Sequence, residues 1–147
     1  MSDKPRSEPA NGPGRLGPYE IELRMLAARR HVPALRALVA EQAMRADHDL
    51  DFVDDVRLAL DEVCSIMLAN SSPTQTLTVR LLVGPGRIEI EAWLPIRADA
   101  RPSVDGLSFR VLYALAETFD HGVDEINGAR ALRLFFARSQ PALAAGR

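Results

Sequence analysis

Residues 54–70 of the chain read DDVRLALDEVCSIMLAN, and this stretch decides the fold. Its apolar residues fall on two rows at helical spacing, namely Val56, Leu60, Val63 and Met67, and Ala59, Ile66 and Ala69. A helix that is apolar over most of its circumference is buried between other elements. Glu62 places a carboxylate within this mostly apolar helix, where exposure to solvent alone does not account for a charged residue.

The flanking segments predict alternating strands and helices. Period-2 alternation predicts a strand from Tyr19 to Met25, and helical spacing predicts a helix over residues 32–46 before the central helix at 50–70. Two further strands, over 76–83 and 87–94, are joined by the turn residues Gly84-Pro85-Gly86 as a hairpin. The remainder predicts a loop over 95–107, a third helix carrying Phe109 to Ala116, a weak strand over 123–126 and a last strand over 130–137.

This order predicts an α/β fold, a two-layer sandwich. Mostly antiparallel strands with half-polar faces need helices on only one side, so we expect a mixed, mostly antiparallel sheet covered on one face by three helices. Residues 1–18 hold four prolines and three glycines and are expected to form a disordered tail. The folded domain is expected over residues 19–138, with a second tail over 139–147.

Composition excludes several classes of function. The chain has 147 residues, 47% of them hydrophobic, and a formal net charge of −2, which provides no basic field for direct DNA binding. No apolar run approaches the ~20 residues that a membrane span needs. A single cysteine and an N-terminal segment without an apolar signal core indicate a cytoplasmic protein. The three histidines, His31, His48 and His121, are far apart in the sequence, and none has cysteines or paired carboxylates near it at metal-binding spacing. No metal site is therefore expected.

The central helix resembles the N-box helix of the anti-sigma factor serine kinases, which share the ATPase fold of histidine kinases. That helix reads roughly L-A-x-x-E-A-x-x-N-A-x-x-H, and here Leu58, Ala59 and Glu62 match it. The resemblance implies that Glu62 is the catalytic base. The family's Mg²⁺-binding Asn is replaced by Ile66, which offers no oxygen to a hard cation, and Asn70 stands at the His position.

Three further family motifs survive only in part. The Asp-x-Gly-x-Gly turn, whose Asp recognises adenine, corresponds to residues 96–102, where Asp99 remains and both glycines are absent. The glycine-rich entry to the next helix corresponds to Gly106, Leu107 and Ser108, whose backbone amides are the implied phosphate contacts. The Gly-Gly-Thr motif before the last strand is reduced to residues 127–129, without its hydroxyl. The implied cofactor is ATP, with binding expected to be weak or lost. Mg²⁺ binding is doubtful, since it requires Asn70, one turn beyond Ile66, to reach the site through a rearranged lid.

Each candidate residue also has a purely structural interpretation. Glu62 fits a polar helix edge, paired with Arg57 or Arg80, and Asp99 fits an ordinary turn or cap residue. Ser108 fits a helix N-cap, and Cys64 fits a small core residue.

The resemblance implies a binding protein as the leading function. It is an anti-sigma factor that sequesters an alternative sigma factor of the stress or sporulation type and is countered by a STAS-fold anti-anti-sigma partner. Arg36 matches a family arginine that faces these partners, although a solvated surface arginine is the plain alternative. The second candidate is an active kinase that phosphorylates a serine of the antagonist. The third is a sandwich domain that binds something else. The family also suggests a homodimer built on the sheet or the first helix, with the weakly charged region 25–38 facing outward.

Overall fold

The strands and helices follow the predicted order. The computed structural model describes residues 18–46, 48–103, 106–126 and 128–140. The five strands are β1 (Tyr19–Leu26), β2 (Thr76–Gly84), β3 (Arg87–Pro95), β4 (Thr118–Ile126) and β5 (Ala129–Ser139). The three helices are α1 (Val32–Arg45), α2 (Leu50–Ala69) and α3 (Leu107–Leu115), and a 3-10 turn at Arg29–His31 precedes α1.

The strands form one sheet in the order β1-β2-β3-β5-β4. The prediction of an α/β fold with a mostly antiparallel sheet and three helices is confirmed. The sheet is not mixed as expected, because all four pairings among these five strands are antiparallel. β4 is the largest difference from expectation, because it spans nine residues where only 123–126 were expected. Hairpin pairing with β5 over its whole length extends it.

The register separates a buried face from an open one. One row of paired residues crosses all five strands on the inner face, and it consists of Ile21, Leu81, Ile90, Phe136 and Phe119. The adjacent row lies on the outer face and consists of Glu22, Arg80, Glu91, Phe135 and Asp120. Successive side chains of a strand point to opposite faces of the sheet, so moving by one residue along each strand leads from an apolar row to a mostly charged row.

α2 lies at the centre of the helical layer and packs against both α1 and α3. It begins at an Asp49 N-cap, whose carboxylate accepts a hydrogen bond from the Phe52 backbone N–H at 2.8 Å. Nine of its residues are buried, including Cys64 and every residue of the two predicted apolar rows except Ala69, which is exposed at the end of the helix. No helix among the described residues is long and apolar enough to cross a membrane.

Three sequence expectations need comment. The predicted N-terminal tail lies outside the described residues except for Pro18, and so does residue 141 onward of the C-terminal tail. β5 continues through Ser139, where the second tail was expected to begin. The expectation that region 25–38 faces outward with few charges is wrong. Met25 and Leu38 are half-buried against the core, and the exposed residues there include Arg29 and Arg30.

Candidate functional site

Glu62 is half-exposed on α2, one helical turn before Ile66. Among the described residues its carboxylate has no ion pair and no hydrogen bond. The interpretation that it pairs with Arg57 or Arg80 is wrong. Arg57 lies 3.6 Å from Asp54, and Arg80 pairs with Glu20 at 2.9 Å on the outer face of the sheet. The carboxylate of Glu62 therefore stands without a structural partner in the described part of the chain.

The two positions that follow Glu62 on the N-box face have structural roles in the fold. Ile66 is buried and packs in the core, which explains an apolar residue there. The side-chain nitrogen of Asn70 donates to the Ile66 carbonyl at 2.8 Å, at the C-cap of α2. This bond uses the Asn70 amide to end the helix. In the described ranges no group of three or more His, Cys, Asp or Glu side chains is placed to hold a metal ion.

The start of α3 faces the end of α2 across a small cavity. Ile66, Asn70, Gly106, Leu107 and Ser108 all line it, so the tertiary structure brings these predicted site residues together. Its volume is 140 Å³. Pockets for drug-sized ligands have volumes of roughly 300–1,000 Å³, so this cavity is smaller than that range.

Gly106, and not Ser108, occupies the N-cap position of α3. Its φ of 119° and ψ of −177° are accessible to glycine and strained for other residues, and no side chain caps the helix. The prediction that Ser108 is the N-cap is therefore wrong. One glycine of the family's motif is kept here for a backbone reason that operates without any ligand.

Asp99 lies away from this cavity, which it does not line. Its side chain is 78% exposed and pairs with Arg97 at 3.4 Å. The loop around it is held from β5, because Arg130 Nη1 donates to the carbonyls of Ala98 at 2.6 Å and Ala100 at 3.0 Å. Sequence analysis missed Arg130, since nothing local in the sequence links it to a loop some thirty residues earlier. The loop that replaces the glycine turn is thus fixed by an arginine.

Arg36 forms an ion pair between the first two helices. Its Nε–H donates to Asp61 Oδ1 at 2.8 Å, and the two side chains are 36% and 35% exposed. The interpretation of Arg36 as a freely solvated arginine is therefore wrong. The pair borders a cavity of 420 Å³ lined by Arg29, Val32, Pro33, Arg36, Asp61, Cys64, Ser65, Leu68 and Ala69.

Cys64 borders the same cavity but is not a nucleophile. Burial raises the pKa of its thiol to about 12; the negative charge of Asp61 raises it further, and Arg36 opposes both. A thiol with this pKa is uncharged at neutral pH, and the thiolate is the reactive form. Cys64 is the small core residue that its helical position predicts.

Comparison with known proteins gives relatives of one kind. No family model matches the chain. It is 35% identical over 111 residues to the anti-sigma-F factor RsbW of Mycobacterium tuberculosis, in strain CDC 1551 and in strain H37Rv. The match includes 72% of this chain, which spans 65% of the length of these relatives.

A solved structure shares the fold. It contains the RsbU and RsbW domains of Rv1364c from Mycobacterium tuberculosis, with a TM-score of 0.59 and 15% sequence identity. The similarity covers 84% of this chain and 33% of that one. At this identity the likeness concerns the fold alone, and it agrees with the helix motif and with the curated relatives. The chain is thus similar in sequence to the anti-sigma-F factor RsbW, and it shares the fold of a structure that contains an RsbW domain.

Proposed function

We propose that this protein is an anti-sigma factor that sequesters an alternative sigma factor by binding rather than by chemistry. The name of its 35%-identical relatives, anti-sigma-F factor, supports the sigma-binding part. The observation that carries binding over catalysis is Ile66, a buried apolar side chain at the family's Mg²⁺-ligand position. Such a protein acts in the cytoplasm, which the single cysteine also favours.

The partner surface that we propose is the α1–α2 side of the helical layer, with Arg36 as a central contact. This side presents a cavity of 420 Å³ with charged groups at its rim and apolar side chains such as Val32 and Leu68 in its wall. Protein interfaces combine a desolvated apolar centre with arginine as a frequent anchor. Release of sigma then follows from competition, when a STAS-fold antagonist occupies the same surface.

Binding to purified alternative sigma factors encoded in the same genome tests this proposal. Each is titrated with the native chain and with Arg36→Ala. Truncating a central interface arginine costs about 2 kcal/mol or more, which weakens binding roughly 30-fold. The matched control is Arg45→Ala on the same helix, where the side chain is mostly exposed and pairs with Glu41. Failure of every sigma factor to bind contradicts the proposal, and equal losses in both variants contradict the role of Arg36.

Competition is measured in the same format. A STAS-fold antagonist added to the preformed complex is expected to release sigma without ATP. If release needs ATP and Mg²⁺, the binding mechanism is wrong.

Three features of the site support our proposal that efficient kinase activity is lost. Ile66 supplies no metal ligand, the cavity beside it measures 140 Å³, and Asp99 lies outside it. Mg²⁺ keeps several waters and tolerates a missing protein ligand, so the losses act mainly on the positioning of phosphate. Displacing reacting groups by ~1 Å costs on the order of 100-fold in rate. ATP binding is therefore proposed to be weak or lost.

Glu62 is the one observation that favours the alternative, an active serine kinase. Its carboxylate occupies the base position and has no ion-pair partner among the described residues. A radiolabelled-ATP assay with the antagonist decides between the two, using the native chain, Glu62→Ala and Ile66→Asn. We expect no transfer by the native chain. Robust transfer that Glu62→Ala abolishes would promote the kinase, and activity in Ile66→Asn alone means that only the metal ligand is missing.

A further inference from the structure

The Arg36–Asp61 ion pair is open to exchange of its acidic member. Asp61 Oδ1 accepts a hydrogen bond from the Nε–H of Arg36 at 2.8 Å, and this guanidinium makes no other hydrogen bond among the described residues. A carboxylate that docks squarely on an arginine uses two parallel N–H donors. Asp61 uses one. The two terminal nitrogens of Arg36 are thus available to an incoming acidic group.

The surroundings of the Arg36–Asp61 pair also favour binding of an acidic side chain from a partner protein. Arg29 lines the same cavity, and its side chain has no acidic partner within ion-pair distance in the described ranges. Two arginines and one aspartate give the rim an excess of positive charge. The wall between them is apolar, through Val32 and Leu68. An acidic side chain flanked by apolar residues on a partner protein complements this arrangement.

We propose that Asp61 competes with the bound protein for Arg36, and that a carboxylate of the bound protein must displace Asp61 from this arginine. This inference rests on the proposed role of Arg36 in partner binding. Half-exposed ion pairs contribute little to stability, so displacement is possible without disturbing the helices. Until it is displaced, Asp61 occupies the arginine and repels an approaching acid. Asp61 therefore holds affinity below the value that Arg36 can support.

The same contact affects selectivity. A partner with a neutral residue opposite Arg36 does not displace Asp61, because the exchange leaves the aspartate without a cation, so its affinity does not depend on Asp61. A partner with an acidic residue must displace Asp61 and loses affinity to this competition. Asp61 thus narrows the difference in affinity between acidic and neutral partners.

Asp61→Asn is the direct test, using the sigma factor that binds the native chain. The amide keeps the size of the side chain and an oxygen for the Nε–H, and it removes the charge. Binding is expected to tighten roughly 3- to 5-fold, the scale of an exposed ion pair. The matched control is Asp54→Asn, about two turns earlier on the same helix, which makes the same change in net charge next to Arg57. This control is expected to change the dissociation constant less than about 2-fold, as long-range screening implies.

A double-mutant cycle separates competition for Arg36 from a general field effect. The gain from Asp61→Asn is expected to vanish in the Arg36→Ala background, because the two residues act through one contact. An unchanged or weaker affinity of Asp61→Asn overturns the inference, and so does a gain that persists without Arg36. Thermal melts of each variant confirm folding, and Asp61→Ser replaces the amide if Asp61→Asn does not fold. Absence of binding by the native chain is a different result, which overturns the proposed function and this inference with it.

Discussion

At the scale of single residues, Ile66 lacks the metal ligand of the family's motif and adds an apolar side chain to the core. Its side chain is 5% exposed and joins the core shared by α2 and the sheet. An asparagine there buries an amide, which costs on the order of 1–3 kcal/mol when its hydrogen bonds are unmade. Restoring the family's metal ligand in the kinase assay therefore lowers stability, and the assay needs a melting curve beside it.

Gly106 is a second residue whose identity is dictated locally. We predict that Gly106→Ala destabilises the protein by roughly 1–3 kcal/mol, because a φ of 119° is costly for any residue with a Cβ. A Cβ at this position has open space around it, so the cost is backbone strain and not a clash. Urea unfolding measures the change.

The control for that substitution is Gly86→Ala, in the β2–β3 turn. Gly86 does not have a positive φ, and a Cβ there also meets nothing within 4 Å. Its effect on the free energy of unfolding is expected to be small. Equal losses in the two variants contradict the strain argument.

Cys64 gives a prediction about pH. Burial first, then the charge of Asp61, raises its pKa from 9.0 to about 12 in the folded protein. Between pH 9 and 12 the unfolded chain therefore loses this proton while the folded chain keeps it. The stabilising contribution is fully present below pH 9 and is lost as the pH rises through this window.

Alkylation by iodoacetamide tests the same point. The folded protein is expected to react far more slowly than urea-unfolded protein at pH 9, because only the thiolate attacks. A native rate close to the unfolded rate means that Cys64 is accessible and ionised.

At the scale of elements, His48 joins three segments that are distant in sequence. It precedes α2, its Nε2 lies 2.8 Å from the carbonyl of Gly84 at the end of β2, and its Nδ1 lies 3.1 Å from Gln140 Oε1 just after β5. The same Gln140 oxygen accepts the Asp49 backbone N–H at 3.0 Å. The ring also stacks on Phe52 with centroids 4.3 Å apart. This one buried imidazole fixes the start of α2 against the end of the sheet.

We predict that His48→Ala lowers the free energy of unfolding by roughly 2–4 kcal/mol, because it leaves a buried carbonyl unpaired and removes a packed ring. Chemical denaturation measures the loss. His31→Ala is the control, since that ring is only half-buried and makes no hydrogen bond among the described residues. Comparable losses from both substitutions contradict the special role of His48.

At the scale of the whole molecule, no helix of the described ranges covers the outer face of the sheet. It carries ion pairs such as Arg133 with Asp120 and Asp124, at 2.9 and 3.0 Å, around the half-buried Trp93. Arg80 lies over the Trp93 ring at 4.7 Å. Such a face is stable in water, and it is also available to a second copy.

We predict a homodimer at micromolar concentration, built on this face or on α1. Sedimentation velocity measures it. Trp93→Glu tests the sheet and Ala37→Glu tests the exposed side of α1; the substitution that lies in the interface is expected to yield monomer. A clean monomer for the native chain removes the prediction.

The sequence by itself determined the order of elements, the two faces of the sheet and the burial of α2. These features are written in the spacing of neighbouring residues, as in the alternation along β3 and the two apolar rows of α2. The sequence also shows that position 66 carries no metal ligand, because the residue type alone determines that an isoleucine side chain has no oxygen, nitrogen or sulfur atom. The sequence does not show the length of β4, since pairing with β5 supplies what its weak pattern lacks.

Only the tertiary structure decided which side chains meet. It joined Arg36 to Asp61, brought Gln140 to His48, fixed the loop before residue 100 with Arg130 and left a cavity of 140 Å³ beside Ile66. Each contact joins residues far apart in the chain, and its geometry depends on how helices pack on a twisted sheet. Local periodicity carries no information about such distances, because it records which face a residue occupies and not what lies opposite that face.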